Sequence, residues 1–339
     1  MTLDQPPLAK RGRAASVDDQ APAADWAGLR ERGAAWGPAL LGFFYRVFGR
    51  GFCVAAMTPA IFYFFITGAR QRRASIDYLR RVWAFSGREG RPGLWHAFRH
   101  FFAFGESLVD RFGAWIGHVD RANVDAIDGG AFDAMRADRR GTLILSAHVG
   151  ATEIVRAIAS RYQDRPISIV IHSPHAAGYN KLIQRFAPKS QVKLIQAAEF
   201  DVAAAMVISQ AIERGEWVVM MGDRLPVDGG RGRAIMADFL GAPAAFPQGP
   251  FVLAAALRCP IYTLFCARCE GRYQADVALL SDGEAAPRKE RDAALAALVD
   301  RYARTLEGLL QKAPYQWFNF YDYWAAIGDG GARARDGKH

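Results

Sequence analysis

Apolar residues crowd positions 36–69 almost without a break. Leu40, Leu41, Phe43, Phe44, Tyr45, Val47 and Phe48 lead into a run from 51 to 69 that carries no charge and includes Phe62, Tyr63, Phe64 and Phe65. A run of that length reaches across a bilayer, but Pro59 and the glycines break up an ideal span. Arg46 and Arg50 stand just before it, at positions suited to an interface, and Arg70, Arg72, Arg73, Arg80 and Arg81 follow at once. A basic collar beside an aromatic apolar segment suits a chain seated on, or shallowly in, an anionic cytoplasmic leaflet. A true span and a set of ordinary core helices are the two alternatives.

From 74 to 120 the period becomes helical, with Ile76, Leu79, Val82 and Trp83, then Phe98, Phe101, Phe102, Leu108 and Phe112, recurring on shared faces. This region is expected to pack over the apolar mouth of a sheet further on. His96 and His100 are spaced i, i+4, but no glutamate stands where a metal site would need one, so a surface pair is expected and no metal.

Beyond Gly129 and Gly130 the pattern changes again, to short apolar runs alternating with helical stretches. Strands are predicted at 142–147, 166–172, 192–195, 217–221, 260–266 and 273–280, and helices at 152–162, 201–214, 251–257 and 288–311. This alternation predicts an α/β fold with a mainly parallel sheet flanked by helices, preceded by the apolar helical segment. Four parts are expected: a disordered leader over 1–24, an apolar and basic helical membrane-associating region over 25–120, the α/β domain over 121–325, and a flexible tail over 326–339. The leader is rich in Pro and charge and lacks the apolar core of a secretory signal.

Composition changes this picture little. Apolar residues make up 51% of the 339 positions, enough for most of the chain to fold, and the formal charge is +9. The basic residues flank apolar segments and no nucleic-acid module is visible, so an anionic membrane is the expected partner rather than nucleic acid. Cys53, Cys259, Cys266 and Cys269 form no disulfide framework, and a lone CxxC at 266–269 is a poor zinc site.

Candidate chemistry gathers at the predicted strand ends. The 142–147 run stops at His148, Gly150 suits a tight turn, and Glu153 comes about one helical turn later. A carboxylate that accepts from one ring nitrogen fixes the tautomer and leaves the other to take a proton. The plainer alternative is a core histidine with a helix-start carboxylate favoured by the helix dipole. The 217–221 run likewise ends in Gly222, Asp223 and Arg224, where Arg224 suits a phosphate or carboxylate with Asp223 holding it, or else forms a surface ion pair. His172 and His175 occupy another strand end, and the basic loop at 226–233 lacks the ending of a P-loop. Gly249 and Pro250 set a turn into a helix start.

In this order, these features resemble the bacterial lipid A late acyltransferase family of the lysophospholipid acyltransferase superfamily. The nearest likeness is to members encoded away from lipid A genes, including those of aryl polyene pigment clusters. The resemblance covers about 37–325 and rests on five features: the apolar segment with its basic flank, His148 to Glu153 as a His-x4-acid motif, Gly222-Asp223-Arg224, Gly241-x-Pro243 with Phe246-Pro247-x-Gly249-Pro250, and the Gln316-Trp317 aromatic ending. It implies a glycerolipid acyltransferase-like fold, with His148 as general base and Glu153 as its partner. By the same resemblance Gly150, Asp223 and Arg224 help shape the substrate site, and Phe246, Pro247, Gly249 and Pro250 form a loop near the acyl donor. It also implies a fatty acyl group moving from an acyl carrier protein or coenzyme A thioester to a hydroxyl of a lipid-like acceptor. The setting is the cytoplasmic face of a bacterial inner membrane, with Phe62 to Phe65, Arg70, Arg72 and Arg73 at the bilayer and no cofactor. Ala151 and Thr152 stand where lipid A enzymes usually carry an asparagine and an aromatic, which weighs against a lipid A sugar as acceptor. An idle lipid-binding or scaffold protein with the same fold is the alternative from another class.

Overall fold

Every residue of the strand Thr142–Ser146 is buried, because both faces of the sheet are covered at this strand. The computed structural model describes residues 37–118, 123–126, 130–151, 154, 165–171, 192–196, 202–225 and 234–324. Nine strands fall within them: β1 Val124–Ala126, β2 Thr142–Ser146, β3 Ile167–Ile171, β4 Val192–Gln196, β5 Trp217–Met221, β6 Ala234–Phe239, β7 Ala242–Pro247, β8 Ile261–Cys269 and β9 Arg272–Ser281. The helices are α1 Gly37–Thr67, α2 Ala69–Phe85, α3 Leu94–Trp115, α4 Ala131–Ala137, α5 Val202–Glu213, α6 Gln248–Leu257 and α7 Arg291–Lys312. The expected α/β architecture is therefore present. A seven-stranded sheet runs β1-β9-β8-β2-β5-β3-β4, parallel at every pairing except the β8–β9 hairpin.

Alternation along β2 sends side chains into two cores. Leu143 and Leu145 join Val218, Met220 and the inner faces of α2, α5, α6 and α7. Ile144 points the other way, to Met135 of α4, Ile154, Tyr262 and Leu264. A continuous apolar run is what a strand covered on both faces requires. The β6–β7 hairpin was not among the expected strands. Its Ala- and Pro-rich sequence has little β propensity, and it is closed by Leu240 and Gly241, both at positive φ.

The chain divides after Leu41, and the described residues from Gly42 onward form one compact unit. Within that unit α1 kinks at Gly49 and then runs antiparallel along α3. Contact is close because α3 offers glycines: a Cβ at Gly105 would lie 2.2 Å from Ile61, and one at Gly113 would lie 2.4 Å from the Tyr45 hydroxyl. Phe65 packs edge-on against Phe98 and Phe101. Phe48, Phe52, Phe62, Tyr63, Phe64 and Ile66 nevertheless remain exposed. Gly42–Thr67 is long and apolar enough to cross a membrane, and only 11% of its most apolar window is buried, which is not the profile of a core helix.

Two of the arginines flanking the apolar run make contacts within the protein. Arg50 pairs with Asp110 at 2.6 Å and Glu106 at 2.9 Å, and Arg268 of β8 reaches the same Glu106 at 3.1 Å. Arg72 folds back to donate to the carbonyls of Phe65 and Ile66, closing the end of α1, while Arg70 and Arg73 stay exposed.

Candidate active site

The register of two neighbouring strands builds the site. β2 and β5 run parallel with Ser146 opposite Met221, and the Gly222 amide donates to the Ser146 carbonyl at 2.9 Å. Two residues further along each strand stand His148 and Asp223, side by side at the carboxyl edge of the sheet. His148 Nδ1 lies 2.8 Å from Asp223 Oδ1, and the His148 amide donates to Oδ2 at 3.0 Å. The Trp317 indole donates to the same Oδ2 at 2.9 Å. Since a carboxylate only accepts, the Nδ1 proton is on the ring and Nε2 is the basic nitrogen. Asp223 is fully buried, whereas the His148 side chain is 35% exposed.

Burial on its own would raise the Asp223 carboxyl. The charge and hydrogen bond of His148, the charge of Arg224 and the Trp317 indole outweigh it and hold the carboxyl well below the usual range. It is therefore ionised throughout the physiological range. The sequence expectation had Asp223 bracing Arg224, but its oxygens are taken by His148 and Trp317. Arg224 reaches the Phe318 carbonyl instead, lies 5.9 Å from the Tyr321 ring, and keeps a buried Nε without a partner among the described residues.

The turn after His148 is fastened from two sides. Gly150 adopts φ 51, its amide donates to the Gln316 carbonyl at 2.7 Å, and the Ala151 amide donates to Cys266 at 3.1 Å. The Phe318 amide donates to the His148 carbonyl at 3.0 Å. These bonds use the backbone amides at 148, 150 and 151, so none of the three is left to meet a developing oxyanion. Beneath the turn, the Tyr302 hydroxyl donates to Ser146 at 2.8 Å and Phe246 packs edge-on against Tyr302. Phe246 is fully buried. Pro247 caps α6, whose first turn contains Gly249 and Pro250.

Glu153, His172 and His175 lie outside the described residues. Cys266, fully buried, has its thiol pushed up by burial to about 12, and Cys259 is pushed up to about 11, which keeps both protonated and unreactive.

A family model described as bacterial lipid A biosynthesis acyltransferase matches residues 104–325. The chain belongs to this family. No curated protein matches it. This acyltransferase thus carries its family match from within α3 to the aromatic ending after α7, and α1 and α2 precede the matched stretch.

Two residues linked to this edge were not recognised from sequence. Trp317 was noted only as part of an aromatic ending, yet its indole braces the buried carboxylate. His100, expected at the surface, is fully buried between α2 and the 317–320 segment. Its imidazole lies 2.9 Å from the Ser75 hydroxyl and 2.7 Å from the Trp317 carbonyl. Burial, only partly opposed by that carbonyl, pulls the His100 pKa down to about 4. The unfolded chain therefore binds the extra proton first. The His100 contribution is complete above the unfolded value near pH 6.5, declines as pH falls, and is spent at the folded value, a total of about 3 kcal/mol. Urea unfolding from pH 7.5 to 4.5 should show the parent losing about 2 kcal/mol more than His100→Gln over that range.

Proposed function

We propose that this acyltransferase sits on the cytoplasmic face of the bacterial inner membrane. There it moves a fatty acyl group from an acyl carrier protein or coenzyme A thioester to a hydroxyl of a lipid-like acceptor. The observation that carries the chemistry is a half-exposed imidazole at a strand end, fixed through Nδ1 by a buried, ionised carboxylate. Nε2 of His148 takes the acceptor hydroxyl's proton as its oxygen attacks the thioester carbonyl. The C–S bond then breaks and the proton passes to the leaving thiolate. Asp223 orients the ring and stabilises the imidazolium. Glu153, the carboxylate of the His-x4-acid motif, is assigned a share of that stabilisation. With the turn amides occupied, Arg224 is the group best placed to meet the oxyanion or an acceptor phosphate. Phe246 and the first turn of α6 are assigned to the acyl-donor side.

The exposed aromatic side chains of α1 and the exposed Arg70 and Arg73 support membrane seating. Arg70→Glu combined with Arg73→Glu should weaken binding to vesicles rich in phosphatidylglycerol by at least about tenfold, less at high salt, at ~1 kcal/mol per basic residue near the surface. Co-sedimentation reads the change. Arg72 is left intact because it caps α1.

The test of the whole reading is thioester turnover. Purified protein is incubated with acyl carrier protein or coenzyme A thioesters and vesicles of total bacterial lipid, with free thiol and lipid mass followed together. Thiol release and a lipid heavier by one acyl group are expected. Vesicle binding with thiol release no faster than for heat-inactivated protein would leave the scaffold alternative standing instead.

A further inference from the structure

We propose that His100 is a positioning residue for acyl transfer: with Ser75 it fixes the Trp317 carbonyl, and so the indole that holds Asp223 against His148. The inference rests on His148 acting as base. Four hydrogen bonds form the connection. The Ser75 hydroxyl of α2 meets His100 Nδ1 at 2.9 Å, and His100 Nε2 meets the Trp317 carbonyl at 2.7 Å. Trp317 Nε1 donates to Asp223 at 2.9 Å, and Asp223 meets His148 Nδ1 at 2.8 Å.

Each direction is forced. A carbonyl only accepts, so Nε2 carries the His100 proton, and Nδ1 accepts from Ser75. With a pKa near 4 the ring has that single proton at neutral pH. The surroundings do not otherwise call for a histidine. The ring stacks on Phe320 at 4.6 Å and on Phe318 at 6.2 Å, and tilts against Tyr78 at 5.4 Å, so a phenylalanine would satisfy the packing. What a phenylalanine cannot supply is the side-chain donor for the Trp317 carbonyl, which would keep only the Asn319 amide at 2.8 Å and lose the bond that ties it to α3. The carbonyl and the indole belong to one residue, whose backbone also bridges Val149, next to the base. Ser75 and His100 both precede the stretch matched by the family model, so this connection joins the amino-terminal helices to the catalytic edge.

The experiment compares His100→Phe and His100→Gln in the parent and in an Asp223→Asn background, with His148→Ala as control. Thiol release from palmitoyl-coenzyme A is followed on vesicles of total bacterial lipid. His100→Phe should lower kcat about tenfold at unchanged KM, and His100→Gln, whose amide can donate to the same carbonyl, should recover to within about threefold. In the Asp223→Asn background His100→Phe should cost less than about twofold further, because the carboxylate it supports is already gone. Equal losses in both backgrounds would overturn the proposal and leave His100 a purely structural group. If His100→Phe does not fold, Ser75→Ala takes its place, with a loss of about threefold expected and the same requirement of non-additivity. Near-normal turnover by His148→Ala would instead remove the base assignment on which the inference rests. A crystal structure of His100→Gln and of Ser75→Ala or His100→Phe gives a readout independent of activity. In the variant without the donor or its fixing hydroxyl, the Trp317 indole should leave Asp223, while an unchanged bond near 2.9 Å there would count against the proposal.

Discussion

His148→Ala and Asp223→Asn are each expected to lower kcat by about 100- to 10,000-fold, with KM for the thioester changed little. The first removes the base. The second acts through the tautomer: an asparagine amide facing Nδ1 donates to it, which moves the ring proton to Nε2 and leaves no lone pair for the acceptor hydroxyl. Asp223 now receives three donors, from the His148 ring, the His148 amide and the Trp317 indole. The asparagine oxygen can still accept from the amide and the indole, so the turn should hold and folding should be largely preserved. Steady-state thiol release beside circular dichroism checks both halves. Glu153→Gln in the same assay divides the labour between the two carboxylates. A Glu153→Gln loss that matches Asp223→Asn makes both indispensable to the base. A full loss on Glu153→Gln together with near-normal turnover by Asp223→Asn would show that the buried carboxylate is not the one that prepares His148.

The sheet and the catalytic edge were legible for a physical reason, and the pairing across that edge was not. Leu143 to Leu145 and Trp217 to Met221 read as buried strands because covered parallel strands leave no polar alternation. Their ends, His148 and Gly222-Asp223-Arg224, could each be placed at a carboxyl edge. That β5 lies next to β2, with β3 on its far side, is a matter of lateral order, and no local pattern reports it. The local candidate, Glu153, was therefore visible, while Asp223, 75 residues away, was assigned to Arg224. His100 was missed for a related reason. Its i, i+4 spacing with His96 draws attention to a helix face, but only the return of the 314–324 segment over α3 decides that this face is interior. The hairpin of β6 and β7 was hidden by weak local propensity, and its pairing is settled by packing against α7 and by the Leu240 amide donating to Glu307 at 2.6 Å.

Gly150→Ala should destabilise the fold by about 3 kcal/mol or more and remove most activity, because two costs fall on one Cβ. At φ 51 the backbone is in the left-handed region, and the added carbon would lie 2.1 Å from the Cys266 carbonyl oxygen and 2.9 Å from Ala267 Cα. Those are main-chain atoms of a central strand, so a side-chain rotation cannot relieve the contact. The turn has to lift from β8, breaking the Ala151 to Cys266 bond and carrying His148 away from Asp223. Gly241→Ala is the control that separates the two costs. Its φ is also positive, at 77, yet nothing lies within 4 Å of its added carbon, so it should cost only the backbone strain of about 1 kcal/mol. Thermal unfolding should place Gly150→Ala about 6 °C or more below the parent and Gly241→Ala within about 4 °C of it. Equal shifts for the two would mean that the close approach to β8 does not exist in solution. The fixed position of His148 would then need another source, because Gly150 is where the catalytic turn is pressed onto the sheet.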